Sequence, residues 1–156
     1  MKRLFAALAL VLLASPAFAQ AWSSVPYDPA NFSATGSMKW HVPETANVRY
    51  KMLDTNTMVV SFSLQATTVS GVPDLELRLK IPNGRNANSE STTMMLLDNW
   101  NGVDFSQQAV GVVSVSRPGQ DYLELRKINH SKWSPSVGKT YVFGQIVLEL
   151  IGPPKQ

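Results

Sequence analysis

From Met58 to Ala66 every second side chain is apolar. Met58, Val60, Phe62, Leu64 and Ala66 share one face, while Val59, Ser61, Ser63 and Gln65 share the other. A two-residue period lines one side of a β-strand, whereas a helix would repeat its apolar positions about every 3.6 residues. Leu75, Leu77, Leu79 and Ile81 alternate in the same way with Asp74, Glu76, Arg78 and Lys80. Shorter alternations occur at Val48, Tyr50 and Met52 and at Leu123 and Leu125. A last strand is predicted from about Tyr141 to Leu150, with Val142, Ile146, Leu148 and Leu150 inward. No segment after residue 19 carries a comparable helical period, so the chain reads as all-β.

Turn chemistry separates these runs. Asp54-Thr55-Asn56-Thr57 lies at hairpin distance between two strands, and Pro82-Asn83-Gly84 and Arg117-Pro118-Gly119-Gln120 close two others. About eight strands with one apolar face each predict an antiparallel two-sheet β-sandwich, jelly-roll-like, with a small β-barrel as the alternative. Two runs are apolar on both faces: Met94-Met95-Leu96-Leu97, and 110–115, where Val110 and Val112 oppose Val113 and Val115. Either the strand bends there, with Gly111 marking a β-bulge, or both faces are covered. The second reading makes Met95, Leu97, Val113 and Val115 a candidate subunit interface.

Residues 1–19 form a Sec-type signal peptide: Met1-Lys2-Arg3 is cationic, Leu4–Ala14 is apolar, and Ala17 and Ala19 suit a cleavage site. The apolar run is shorter than the ~20 residues that span a bilayer, so no membrane anchor is expected after cleavage. The predicted organisation is a signal peptide at 1–19, an extended N-terminal segment at 20–30, a β-sandwich domain at 31–151 and a C-terminal tail at 152–156. Secretion or periplasmic residence in a bacterium follows as an expectation. The 14 lysines and arginines exceed the 11 acids, but Lys2 and Arg3 leave with the signal and the balance drops to +1. That charge gives no reason to expect a nucleic-acid partner.

Chemistry-bearing patterns are sparse. Cysteine is absent, which removes a thiol nucleophile, a thiolate metal site and a cysteine-linked lipid. His41 and His130 have no second ligand at metal-binding spacing, and no Gly-x-Ser-x-Gly elbow occurs. Glu76 and Glu124 stand two residues from Arg78 and Arg126, which suits exposed cross-strand ion pairing. Glycan hydrolysis, the less favoured class, would fall to Glu124 or Glu149. The loop Asp98–Asp104 is oxygen-rich but places Trp100 where a calcium loop needs a donor. No catalytic residue, cofactor or metal is assigned. Trp100, Trp133 and Tyr122 are candidate sugar-stacking rings, because flat aromatic faces suit sugar C–H surfaces, although the favoured reading is that each ring caps an end of the sandwich core.

The runs Asn31-Phe32-Ser33-Ala34-Thr35-Gly36-Ser37-Met38-Lys39-Trp40-His41-Val42, Thr67-Thr68-Val69-Ser70-Gly71, Leu79-Lys80-Ile81-Pro82-Asn83-Gly84 and Phe143-Gly144-Gln145-Ile146 resemble a recurrent β-sandwich domain. That domain occurs in uncharacterised bacterial secreted and phage tail-associated proteins. The resemblance spans about Trp22 to Leu150. It implies the sandwich fold and a virion-like assembly context, and carries over no catalytic residue. The signal peptide departs from the tail context. Together these readings predict an exported, non-enzymatic protein with a binding or assembly role, forming a homotrimer or contacting a glycan or surface protein. The alternative is a carbohydrate-binding module.

Overall fold

The computed structural model describes residues 20–100, 108–133, 135 and 139–152. The predicted signal peptide, most of the Asp98–Asp104 loop and the end of the tail lie outside these residues.

Ten strands form in chain order: β1 (Ser23–Ser24), β2 (Phe32–Ala34), β3 (Lys39–His41), β4 (Asn47–Met52), β5 (Thr57–Ser70), β6 (Leu77–Lys80), β7 (Ser91–Trp100), β8 (Gln108–Val115), β9 (Tyr122–Lys127) and β10 (Lys139–Glu149). Every pairing is antiparallel. The all-β expectation holds, with two more strands than the alternation suggested. Nine strands follow a single hydrogen-bonded path, β1-β4-β5-β10-β7-β8-β9-β6-β2, and β3 pairs with the far half of β5. This sheet curls into a half-barrel around one core.

The core is built from one face of each predicted strand. Met58, Val60, Phe62 and Leu64 of β5 meet Leu77 and Leu79 of β6, Leu123 and Leu125 of β9, and Val142, Ile146 and Leu148 of β10. Trp40 and Met38 join them from the β2–β3 corner, where Gly36 turns with φ 61°. The Asp54 turn forms as expected: its carboxylate accepts the Asn56 and Thr57 amides at 2.7 and 2.8 Å.

Two local expectations are corrected. The inward face of β5 does not continue to Ala66. Thr140 pairs with Thr67 while Val142 pairs with Leu64, so Gln65 and Ala66 of β5 oppose Tyr141 alone of β10. The extra residue is taken up at Ala66, in the left-handed region at φ 58°, and the inward face passes to Thr67 and Val69. Thr67 is fully buried and satisfied by donating its hydroxyl to the Thr140 carbonyl at 3.0 Å. The bulge expected at Gly111 is absent, since the β7–β8 register runs unbroken from Ser91↔Val115 to Asp98↔Gln108.

Gly111 answers a different demand. A Cβ there would lie 2.6 Å from Met95 Cε and 2.8 Å from the Arg126 carbonyl oxygen. Gly144 is alike, with Phe62 Cζ 2.5 Å from its would-be Cβ. Phe62, Gly144, Met95 and Gly111 form one cross-strand row over β5, β10, β7 and β8. Alternating large and absent side chains let the sheet close tightly over its own core.

Candidate functional site

Because β7 and β8 are apolar on both faces, sequence alternation alone does not say which face turns inward. Met95, Leu97, Val113 and Val115, the residues expected at an interface, are all in the core at 3% exposure or less. Their alternates point outward. Met94 is 69% exposed, Leu96 43%, Val110 42% and Ile128 52%. Registry aligns Phe143, Leu96 and Val110 in one row over β10, β7 and β8, and the Ile128 amide bonds the Val110 carbonyl just beyond β9. Met94 and Val112 form the adjacent row. Phe143 and Val112 are half-buried. The open apolar area is on the order of 400 Å², within the ~300–600 Å² of the largest patch on a typical monomer.

Toward the β6 side, the same outer face becomes ionic. Arg126 Nη2 stands 2.5 Å from both Glu76 and Glu124, and Arg78 pairs with Glu76 at 3.0 Å. Glu124 also accepts the Ser116 hydroxyl at 2.8 Å, and the Gln120 amide donates to the Tyr122 carbonyl at 2.7 Å. The pairing expected from the i, i+2 spacing is present. Its setting differs from the expectation, since Glu124 is 3% exposed. One guanidinium occupies the space between Glu76 and Glu124. Glu149 sits on β10, three strands from β9. That is roughly 14 Å at ~4.8 Å per strand, beyond the ~5–9.5 Å of paired glycosidase carboxylates.

The three candidate sugar-stacking rings do not form a platform. Trp133 is 2% exposed, and its indole N–H donates to the Leu125 carbonyl at 3.2 Å. Tyr122 is half-buried, with the Arg78 guanidinium 4.3 Å from its ring centre. Trp100 ends β7 opposite Lys139, and its side chain lies outside the described residues. Lys127 packs its ammonium 5.4 Å from the Trp133 ring, and burial lowers its pKa. His41 and His130 are exposed. Among the described residues no three His, Cys, Asp or Glu side chains converge to hold a metal.

A second feature arises from the ends of the sheet. β1 and β2 are consecutive in the chain, yet they occupy opposite ends of the strand path. Residues 25–31 therefore bridge the open side of the half-barrel. Val25 donates its amide to the Val48 carbonyl, the Tyr27 hydroxyl donates to the Val42 carbonyl at 2.7 Å, and Asp28 caps the short 3₁₀ turn Pro29–Asn31. Beneath this strap is a cleft of about 160 Å³, lined by β4, β6 and the strap itself. The only sequence signal for it was the extended character given by Pro26 and Pro29, because its walls come from three separate segments, 25–32, 46–48 and 79–84.

Neither the known protein families, nor curated proteins, nor solved structures yield a match to this chain.

Proposed function

We propose that this chain is an exported, non-enzymatic protein that assembles with copies of itself through the outer face of β7, β8 and β10. The observation that carries this reading is the outward apolar row Phe143, Leu96 and Val110, with Met94 exposed beside it. Leu96 is central, and apolar residues flank it on both neighbouring strands. A two-fold axis along β7 then sets Leu96 against its copy and Val110 against Phe143 of the partner subunit. Such a patch is self-complementary, as an isologous dimer requires, whereas the expected trimer would need two different patches to meet. Stacking of this kind creates between two chains the two-sheet packing anticipated within one.

Magnitude supports association. About 400 Å² from each copy gives roughly 20 kcal/mol of gross apolar burial at ~25 cal/mol per Å². Association costs about 4–15 kcal/mol, and side-chain ordering adds to that. The remainder, roughly 5–16 kcal/mol before side-chain ordering, favours association. Ser61, Ser63, Gln145 and Thr92 surround the patch and enlarge it toward the ~800 Å² per partner of a standard interface. A glycan-binding role draws no comparable support, because Trp133 is core and Tyr122 is covered by Arg78.

The chain's lack of cysteine makes a direct test simple. Sheets packed face to face lie about 10 Å apart, within reach of a short bis-maleimide linker. Leu96→Cys should cross-link into dimers, and Val72→Cys, 63% exposed in a turn after β5, should not. Equal, slow cross-linking of both variants would refute the assigned surface.

A further inference from the structure

Of the six methionines in the chain, Met1 falls in the predicted signal peptide and five are described. Four of those five pack into or against the core: Met58 is fully buried, Met95 and Met38 are 3% and 4% exposed, and Met52 is half-buried. Met94 differs, at 69% exposure. The pleat sets this contrast. Met94 and Met95 are consecutive on β7, so one side chain faces outward where the next faces the core. An oxidant in solution therefore meets the Met94 thioether directly, while the same group one residue on is covered.

The position of Met94 gives a change there a consequence. It precedes Leu96 by two residues on the outer face of β7 and pairs across to Val112 of β8, beside the row Phe143, Leu96 and Val110. A thioether is apolar and flexible, and suits that apolar contact. Its sulfoxide is polar and carries a hydrogen-bond acceptor. Leu96 along the strand and Val112 across it offer no side-chain donor to that oxygen. Covering it removes its water without replacing the hydrogen bond.

We propose that Met94 is a site of selective oxidation by peroxides, and that its sulfoxide dissociates the assembly. The sulfur donates an electron pair to one peroxide oxygen and the O–O bond breaks. That oxygen stays on the sulfur and the other leaves as water, so the thioether is oxidised and the peroxide reduced by the same electron pair. The effect on assembly rests on the pairing proposed above, whereas the selectivity of the site does not. Contact between copies covers Met94, so attack falls on the free chain and slows as protein concentration rises. A two-fold contact brings in a sulfoxide from each copy, and their desolvation weakens the dimer by about ten-fold or more.

The purified protein is treated with dilute hydrogen peroxide, mapped by tandem mass spectrometry and then measured by light scattering. Fragment ions that separate Met94 from Met95 should show one added oxygen at Met94, while Met38, Met58 and Met95 stay unmodified. The mass at a given concentration should fall toward a single chain. Met94→Leu keeps the apolar bulk, so it should assemble like the parent and ignore peroxide. Met94→Gln places an amide where the sulfoxide would be, and should weaken assembly without any oxidant. Oxidation of Met94 no faster than that of Met95 would overturn the site. A Met94 sulfoxide with unchanged mass, or peroxide-induced dissociation of Met94→Leu, would overturn its effect on assembly. A single-chain mass before any peroxide would refute the pairing itself, and the effect on assembly with it.

Discussion

Trp133 separates the two readings that the sequence allowed for this ring. Its side chain is 2% exposed, its indole N–H bonds the Leu125 carbonyl at 3.2 Å, and its backbone amide bonds the Asp74 carbonyl at 2.7 Å. Trp133→Ala removes the whole ring from a packed core, which costs about 3–5 kcal/mol through lost transfer energy and the cavity left behind. Trp133→Phe keeps most of the packing and removes only the indole hydrogen bond to the Leu125 carbonyl, at about 0.5–1.5 kcal/mol. The backbone bond to Asp74 survives both changes, so the difference between variants reports the missing volume. Urea denaturation with an unchanged m-value measures each loss, and the alanine variant should melt roughly 10–20 °C below the parent. An alanine variant within ~0.5 kcal/mol of the parent would refute the core assignment and return Trp133 to the surface.

Other perturbations test separate parts of the account. Gly144→Ala drives a methyl to within 2.5 Å of Phe62 Cζ and should cost about 1–3 kcal/mol by denaturation, while Gly152→Ala, with nothing within 4 Å, should be neutral. Glu124→Gln deprives Arg126 of one of its two carboxylates. Allowing for the roughly one-third exposure of that arginine, it should lower unfolding free energy by about 1–2 kcal/mol in a denaturation series. Hydrogen bonds from the Asn56 amide and Thr57 hold the Asp54 pKa below its ordinary value. Its folded pKa is depressed, so the stabilisation is present above the unfolded value of about 3.9 and fades as pH falls through the folded one. Carboxyl-detected NMR should find Asp54 titrating below that unfolded value, and Asp54→Asn should flatten this part of the acid limb.

How far the sequence reaches depends on which physical choice is local. Alternation identified most of the inward sets of β5, β6, β9 and β10, because one face of each is the more continuously apolar, but it failed at Ala66 and at Leu75, which is 43% exposed. In β7 and β8 both faces qualify. Choosing Met95, Leu97, Val113 and Val115 as the surface set therefore inverted the side that the fold leaves open. The bulge at Ala66 was hidden because an alanine carries no hint of positive φ, whereas Gly111 carried one and uses its missing Cβ for close approach instead. The ion cluster was half legible. Same-strand spacing pairs Glu76 with Arg78 and Glu124 with Arg126, but Arg126 reaches Glu76 only because β6 and β9 are neighbours. No local pattern announced that neighbourhood, nor the cleft between β4 and β6.

Light scattering on residues 20–156 across about 1–100 µM, together with the double variant Leu96→Lys, Val110→Lys, addresses assembly most directly. The account predicts a mass that rises from one chain to two over this range, and a variant that stays at one chain with native circular dichroism. A single-chain mass at every concentration, or a dimer that survives both lysines, would contradict it.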